Sequence, residues 1–321
     1  MLEAIKKKDY EGIIKYGLEL IKEGNLDEKI IINIISAYYR LGRLNDLFQM
    51  GRKVIDRFLK EKRYEEAEKI VKKLLEYQPM DIRILGLAVK VYAEKGEFDK
   101  AFLLLEEKIG IIPIVRLLPL FEKLADLSGR AYYYEKLAEK YLLAGDKNKA
   151  YNTFILASEM YDSEGNSERA LNALFRAKDV KNTTEINKRI VNFIVLHSRD
   201  IVKIIDLLRE RRDPDFWLYI FEIFKKEDKI DLLQSIINRE DDPLVKEFFT
   251  FLTLLVYKNV YSEDLLEDIK RKDIEFYNVL SGYAQKYHTN AERKKLELEE
   301  RNALLNQVFE KALESIEDIF K

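Results

Sequence analysis

The stretch Lys62-Arg-Tyr-Glu-Glu-Ala-Glu-Lys-Ile-Val-Lys-Lys-Leu-Leu-Glu-Tyr-Gln-Pro79 is followed, 34 residues later and with the same pattern, by Gly96-Glu-Phe-Asp-Lys-Ala-Phe-Leu-Leu-Leu-Glu-Glu-Lys-Ile-Gly-Ile-Ile-Pro113. Sliding the chain by this interval sets Phe58 on Tyr92, Tyr64 on Phe98, Ala67 on Ala101, Leu75 on Ile109 and Pro79 on Pro113. Within each copy apolar residues recur every three or four positions, as in Ile70, Val71, Leu74 and Leu75, which lays one stripe along a helix. The repeating unit therefore reads as two helices. A small residue (Ala67, Ala101) lets their backbones approach, an aromatic fills the space beside it, and proline closes the unit because it cannot extend the preceding helix.

On these residues the units 48–81 and 82–115 resemble tetratricopeptide repeats, whose period is 34 and whose pattern includes a tyrosine, an alanine and a terminal proline. The same frame fits 131–164 through Leu137, Tyr141, Gly145, Asp146, Ala150, Phe154 and Ala157, and 28–61 through Ile31, Ile34, Tyr38 and Gly42, with Leu47 in place of the small alanine. A half-unit is expected over 9–23. The frames 28–61 and 48–81 are offset by 20 residues, as are 131–164 and 151–184, so one helix serves as the second of one unit and the first of the next. A helix from Val115 to Leu127 stands outside the frame. The resemblance covers roughly 1–180 and implies an all-α, right-handed α-solenoid of tetratricopeptide-like hairpins.

Past Lys178 the period fades, and residues 181–289 read as degenerate helical hairpins stacked on the repeats. Thr183 or Thr184 is an expected N-cap, and Asp213-Pro214 and Asp242-Pro243 each read as an N-cap followed by proline in the first helical turn. The apolar run from Phe248 to Tyr257 is about half of the ~20 residues needed to span a bilayer, and reads as a buried helix. Residues 290–321 contain no breaker and are expected to form one long C-terminal helix. Its second half carries an apolar stripe of Leu305, Val308, Ala312, Ile316 and Ile319. That stripe either folds back as a cap or pairs with another chain, a homodimer included.

Hydrophobic residues make up 47% and charged residues 36% of the 321, with 12 Gly and 5 Pro, a profile of folded helices. The 56 basic and 58 acidic side chains nearly cancel, so no global field draws nucleic acid or an acidic membrane, and any electrostatic partner must be met by a local patch. Abundant Glu, Lys and Ile hint at a thermophilic source. The N-terminus is charged within six residues and lacks the apolar core of a secretory signal, which favours a cytoplasmic protein.

Chemistry finds little to stand on. The absence of cysteine excludes disulfides, thiolate metal sites and cysteine nucleophiles, and His197 and His288 lie in no metal or catalytic spacing. There is no glycine-rich phosphate loop. No catalytic residue, metal site or cofactor is expected.

The resemblance implies that the first helix of each pair lines a groove, with Arg52 and Asp56 from 48–81, Arg83, Lys90 and Glu94 from 82–115, and Tyr132, Glu135 and Glu139 from 131–164. In this frame Tyr134 is core and Tyr132 faces the groove. Repeats that clamp a C-terminal carboxylate use asparagines where Asp56 and Leu87 stand here, which argues against that ligand. The expected function is a non-enzymatic adaptor or scaffold holding a protein or peptide segment in the groove. The alternative is a nucleic-acid-associated or transcription-regulating repeat protein, supported by basic clusters such as Arg209 to Arg212 and Lys270 to Lys272.

Overall fold

A computed structural model describes residues 1–197, 200 and 202–288. The residues of the expected C-terminal helix, 290–321, and with them Leu305, Val308, Ala312, Ile316 and Ile319, lie outside the described residues. Every regular element among the described residues is a helix, and the chain divides into two compact units, Met1–Asn182 and a second starting at Thr183.

The first unit comprises α1 (Leu2–Lys7), α2 (Tyr10–Lys22), α3 (Glu28–Arg40), α4 (Leu44–Lys60), α5 (Tyr64–Tyr77), α6 (Ile82–Glu94), α7 (Phe98–Glu106), α8 (Ile114–Ser128), α9 (Ala131–Leu143), α10 (Lys147–Ser163) and α11 (Ser167–Val180). Carboxylate and amide caps start many of them: Asp9, Asp27, Asp81, Asp146 and Asn166 each accept a hydrogen bond from a backbone N–H of the first turn. Ala67, Ala101, Ala150 and Ala170 are fully buried, as expected of the small residues at which helices approach.

Consecutive helices alternate between two layers, and the cross-ties within each layer carry the repeat period. In one layer Lys90 of α6 pairs with Asp56 of α4 at 2.8 Å across 34 residues, Gly86 of α6 lies against Leu120 of α8, and Lys149 of α10 reaches Glu122 of α8 at 3.5 Å. In the other, Lys69 of α5 pairs with Glu28 of α3 at 2.8 Å, and Tyr39 of α3 stacks on Tyr77 of α5 at 4.1 Å. The Tyr133 hydroxyl of α9 donates to Asp99 of α7 at 2.7 Å, again 34 residues away, and Lys140 of α9 pairs with Glu106 of α7.

This layering corrects the frame at 131–164. The helix that seemed extraneous, α8, takes the slot of a first helix beside α6, so α9 falls among the second helices, beside α7. The frames that start at α4 and α10 keep their parity. The same shift reverses the tyrosines: Tyr133 is buried between Phe98 and Phe102, whereas Tyr134 is only partly buried and donates to Asp126 at 2.9 Å.

The second unit comprises α12 (Thr184–His197), α13 (Val202–Glu210), α14 (Pro214–Lys226), α15 (Ile230–Arg239), α16 (Pro243–Tyr257), α17 (Glu263–Lys272) and α18 over 274–288. The repeat does not vanish here. Thr183, Asp213, Asp242 and Asp273 accept bonds from the first-turn amides of α12, α14, α16 and α18, one cap about every 30 residues, the length of a shortened hairpin. Its core is aromatic: Trp217 of α14 lies against Phe248 of α16 and Phe276 of α18, with ring centres 5.5 and 4.5 Å away, and its indole N–H donates to the Arg211 carbonyl at 2.9 Å. The long apolar run is buried along one side, with Phe248, Phe249, Phe251, Leu252 and Leu255 inaccessible to solvent, but not all round as expected, since Tyr257 at its end is 46% exposed.

Candidate partner-binding surface

On α4 the core takes Leu47, Phe48, Gly51, Val54, Ile55 and Phe58, which leaves Arg52 and Asp56 on the opposite side. On α6 burial of Ile84, Leu85, Leu87, Ala88 and Val91 leaves Arg83, Gly86, Lys90 and Glu94 as the solvent stripe. The two stripes meet: Asp56 bridges Lys90 and, at 3.8 Å, Arg52, while Arg83 packs its guanidinium 4.5 Å from the Phe48 ring and reaches Asn45. Arg83 is held chiefly by its hydrogen bonds to Asp81, which lower the Asp81 carboxyl and raise the guanidinium. Glu94 sits at the edge of an open cleft of about 490 Å³ lined also by Lys62, Arg63 and Lys95.

The other three expected groove residues belong to the opposite layer. Glu135 and Glu139 of α9 both accept from Arg176 of α11, at 2.9 and 2.8 Å, Glu135 also accepts from the Tyr161 hydroxyl, and Lys136 pairs with Glu139 at 3.0 Å. Burial alone would raise the Glu139 carboxyl, but the hydrogen bonds from Arg176 and Lys136 outweigh it and hold the group below its usual range. These carboxylates are spent on joining helices. Tyr132 remains 38% exposed, edge-on to Tyr133 with Lys136 at 5.8 Å from its ring. The eight residues thus form two groups on two layers.

Sequence reasoning missed α8 as part of the first group. Leu117, Leu118, Phe121 and Leu124 fill the core, so Arg116, Lys123 and Leu127 form its outward stripe, with Leu120 at the margin beside Gly86. The signal was the alternation of four- and three-residue steps through Arg116, Leu120, Lys123 and Leu127 in a helix that kept no repeat consensus.

Among the described residues there is no group of three or more His, Asp or Glu that could hold a metal ion. His197 stacks on Phe193 at 4.2 Å, and His288 lies 6.0 Å from the Tyr261 ring. No helix among the described residues is long and apolar enough to cross a membrane.

Alternating layers tied at intervals of 34 residues decide the architecture. The chain has a tetratricopeptide-like helical-repeat fold. No protein-family model matches the sequence, and no curated protein matches it. Among solved structures, this tetratricopeptide-like chain is similar to that of MamA, at 17% identity over 57% of this chain and 94% of that one, with a TM-score of 0.23. It is also similar to a thermophilic TPR protein in Thermus thermophilus (17% identity, 56% and 94% covered, TM-score 0.18). A third is a tetratricopeptide repeat protein from Parabacteroides merdae (13%, 58% and 98%, TM-score 0.17).

Proposed function

We propose that this chain is a non-enzymatic scaffold that holds a protein partner in the groove lined by the first helices of its repeats. The observation that supports this reading is the side-by-side exposure of three stripes, Arg52 and Asp56 on α4, Arg83 to Lys90 on α6, and Arg116 to Leu127 on α8, on one helical layer. Such a surface offers many weak polar contacts beside small apolar areas over a length that an extended or helical segment can follow. It does not gather acids, bases or nucleophiles around one point, as a reaction would require.

Tagged full-length protein should capture a defined partner from source lysate with nuclease present, and the Arg52→Glu/Lys90→Glu variant should lose it while Tyr132→Ala keeps it. Capture of nucleic acid alone, or of proteins released by nuclease, would overturn the scaffold reading. Loss with Tyr132→Ala and not with the charge reversals would move the partner to the α9 layer.

A further inference from the structure

We infer that the face formed by α4, α6 and α8 takes an acidic segment of a protein partner, an inference that rests on the scaffold reading above. The sequence alone made the groove mixed in charge, because Glu135 and Glu139 seemed to share it with Arg52, Arg83 and Lys90. Placing α9 in the other layer removes both carboxylates, and α8 puts Arg116 and Lys123 in the first layer. The face now carries five cations, Arg52, Arg83, Lys90, Arg116 and Lys123, against Asp56, Glu94 and Asp81, the last of which pairs with Arg83 at 2.7 Å. Asp56 is shared between Lys90 and Arg52, and neither Arg116 nor Lys123 has an ion-pair partner among the described residues. The imbalance is local, since the whole chain is at −2.

Gly86 gives this face its floor. A methyl group there would come no closer than 3.4 Å to Leu120 Cδ2, so the neighbours leave room for alanine, yet the chain keeps the residue that weakens a helix interior. By contrast, a Cβ at Gly51 of α4 would fall 2.6 Å from Leu74, so packing demands glycine there. At Gly86 the missing side chain leaves the helix backbone uncovered between Arg83 and Lys90, above the buried Leu120, with the 47% exposed Leu127 on α8. A partner backbone can approach the helix closely at such a point, with carboxylates reaching the flanking cations and an apolar side chain meeting Leu127.

An acidic polypeptide fits better than a nucleic acid. Duplex binding commonly engages about six to ten phosphates, more than the cations on this face. Single strands are held by stacking on aromatic rings, and these three stripes carry none.

The test uses the full-length chain and a fluorescein-labelled peptide of repeated Glu-Glu-Leu, read by anisotropy at low salt, beside its Lys-Lys-Leu counterpart and a single-stranded oligonucleotide of equal charge. The acidic peptide should bind, weaken on addition of salt, and lose at least tenfold in affinity in Arg116→Glu/Lys123→Glu, whose exposed side chains can be replaced without breaking an ion pair. Lys246→Glu, an exposed change on α16, should leave it unchanged. Circular dichroism and a cooperative thermal transition verify that each variant is folded. Equal binding by the basic peptide, tighter binding by the oligonucleotide, or equal loss in Lys246→Glu would overturn the inference. A defined partner captured from lysate and retained by Arg116→Glu/Lys123→Glu would also overturn it, while leaving the scaffold reading intact.

Discussion

Lys62 and Gly96 occupy the same turn of successive repeats, and both take the left-handed backbone, with φ of 57° and 75°. Glycine adopts this region freely, whereas a side chain costs about 1–2 kcal/mol there, partly offset by the greater chain entropy that glycine loses on folding. Lys62→Gly should therefore stabilise the protein by about 0.5–1 kcal/mol in urea unfolding. The alignment of the two repeats made that turn legible, but it could not reveal that Glu68, the residue after Ala67 and apparently on a solvated face, is buried. Glu68 is 5% exposed, takes Lys72 at 2.7 Å and Lys95 in a shorter contact, and thereby ties α5 to the residue that follows α6. Burial would raise its carboxyl, but the hydrogen bonds from Lys72 and Lys95 together hold it below its usual range. A carboxyl lowered in the folded state adds stability that is present above the unfolded value, about 4.3, and is lost as pH falls through the folded one. Glu68→Gln should cost about 1–3 kcal/mol at neutral pH, and the gap between variant and parent should close as unfolding is measured at progressively lower pH from about 5 downwards.

At the scale of the element, the start of each helix was easier to read than the layer it joins. Asp213 and Asp242 announced α14 and α16 because an acceptor side chain followed by proline suits the first turn and little else. Asp213 accepts from the amides of Asp215 and Phe216, and Asp242 from that of Leu244. Replacing either with alanine should cost about 1 kcal/mol in thermal or urea unfolding, and replacing it with asparagine much less, since the amide oxygen can still accept. Replacements that cost the same with asparagine as with alanine would show that charge, and not the cap, is what matters. The layer of α9, in contrast, depends on counting helices, and α8 escapes the count because Leu117, Phe121 and Leu124 do the work of core residues without the alanine and tyrosine of the repeat. The second unit hid its spacing for a similar reason. Its core is filled by Trp217, Phe221, Phe248 and Phe276, bulky rings that hold helices apart where alanine would draw them together, so the caps recur but the consensus does not.

At the scale of the molecule, the period and the fading of its consensus near Lys178 place a boundary that the contacts put at Asn182. Stability in a repeat stack is close to a sum of hairpin terms and terms between neighbours, so cutting between hairpins removes at most the neighbour terms at the cut. The first unit keeps its own ladder, from Lys69 and Glu28 near one end to Arg176 and Glu139 at the other, and its own fully buried aromatic residues, Phe58 and Phe154. A chain of residues 1–182 should therefore fold alone, giving a helical circular dichroism spectrum and a cooperative thermal transition. A fragment that melts without cooperativity would mean that the ladder needs residues beyond Asn182. A folded fragment carries α4, α6 and α8 intact, so its affinity for the acidic peptide should match that of the full chain. Because Trp217 lies outside it, that comparison can be made without any signal from the second unit.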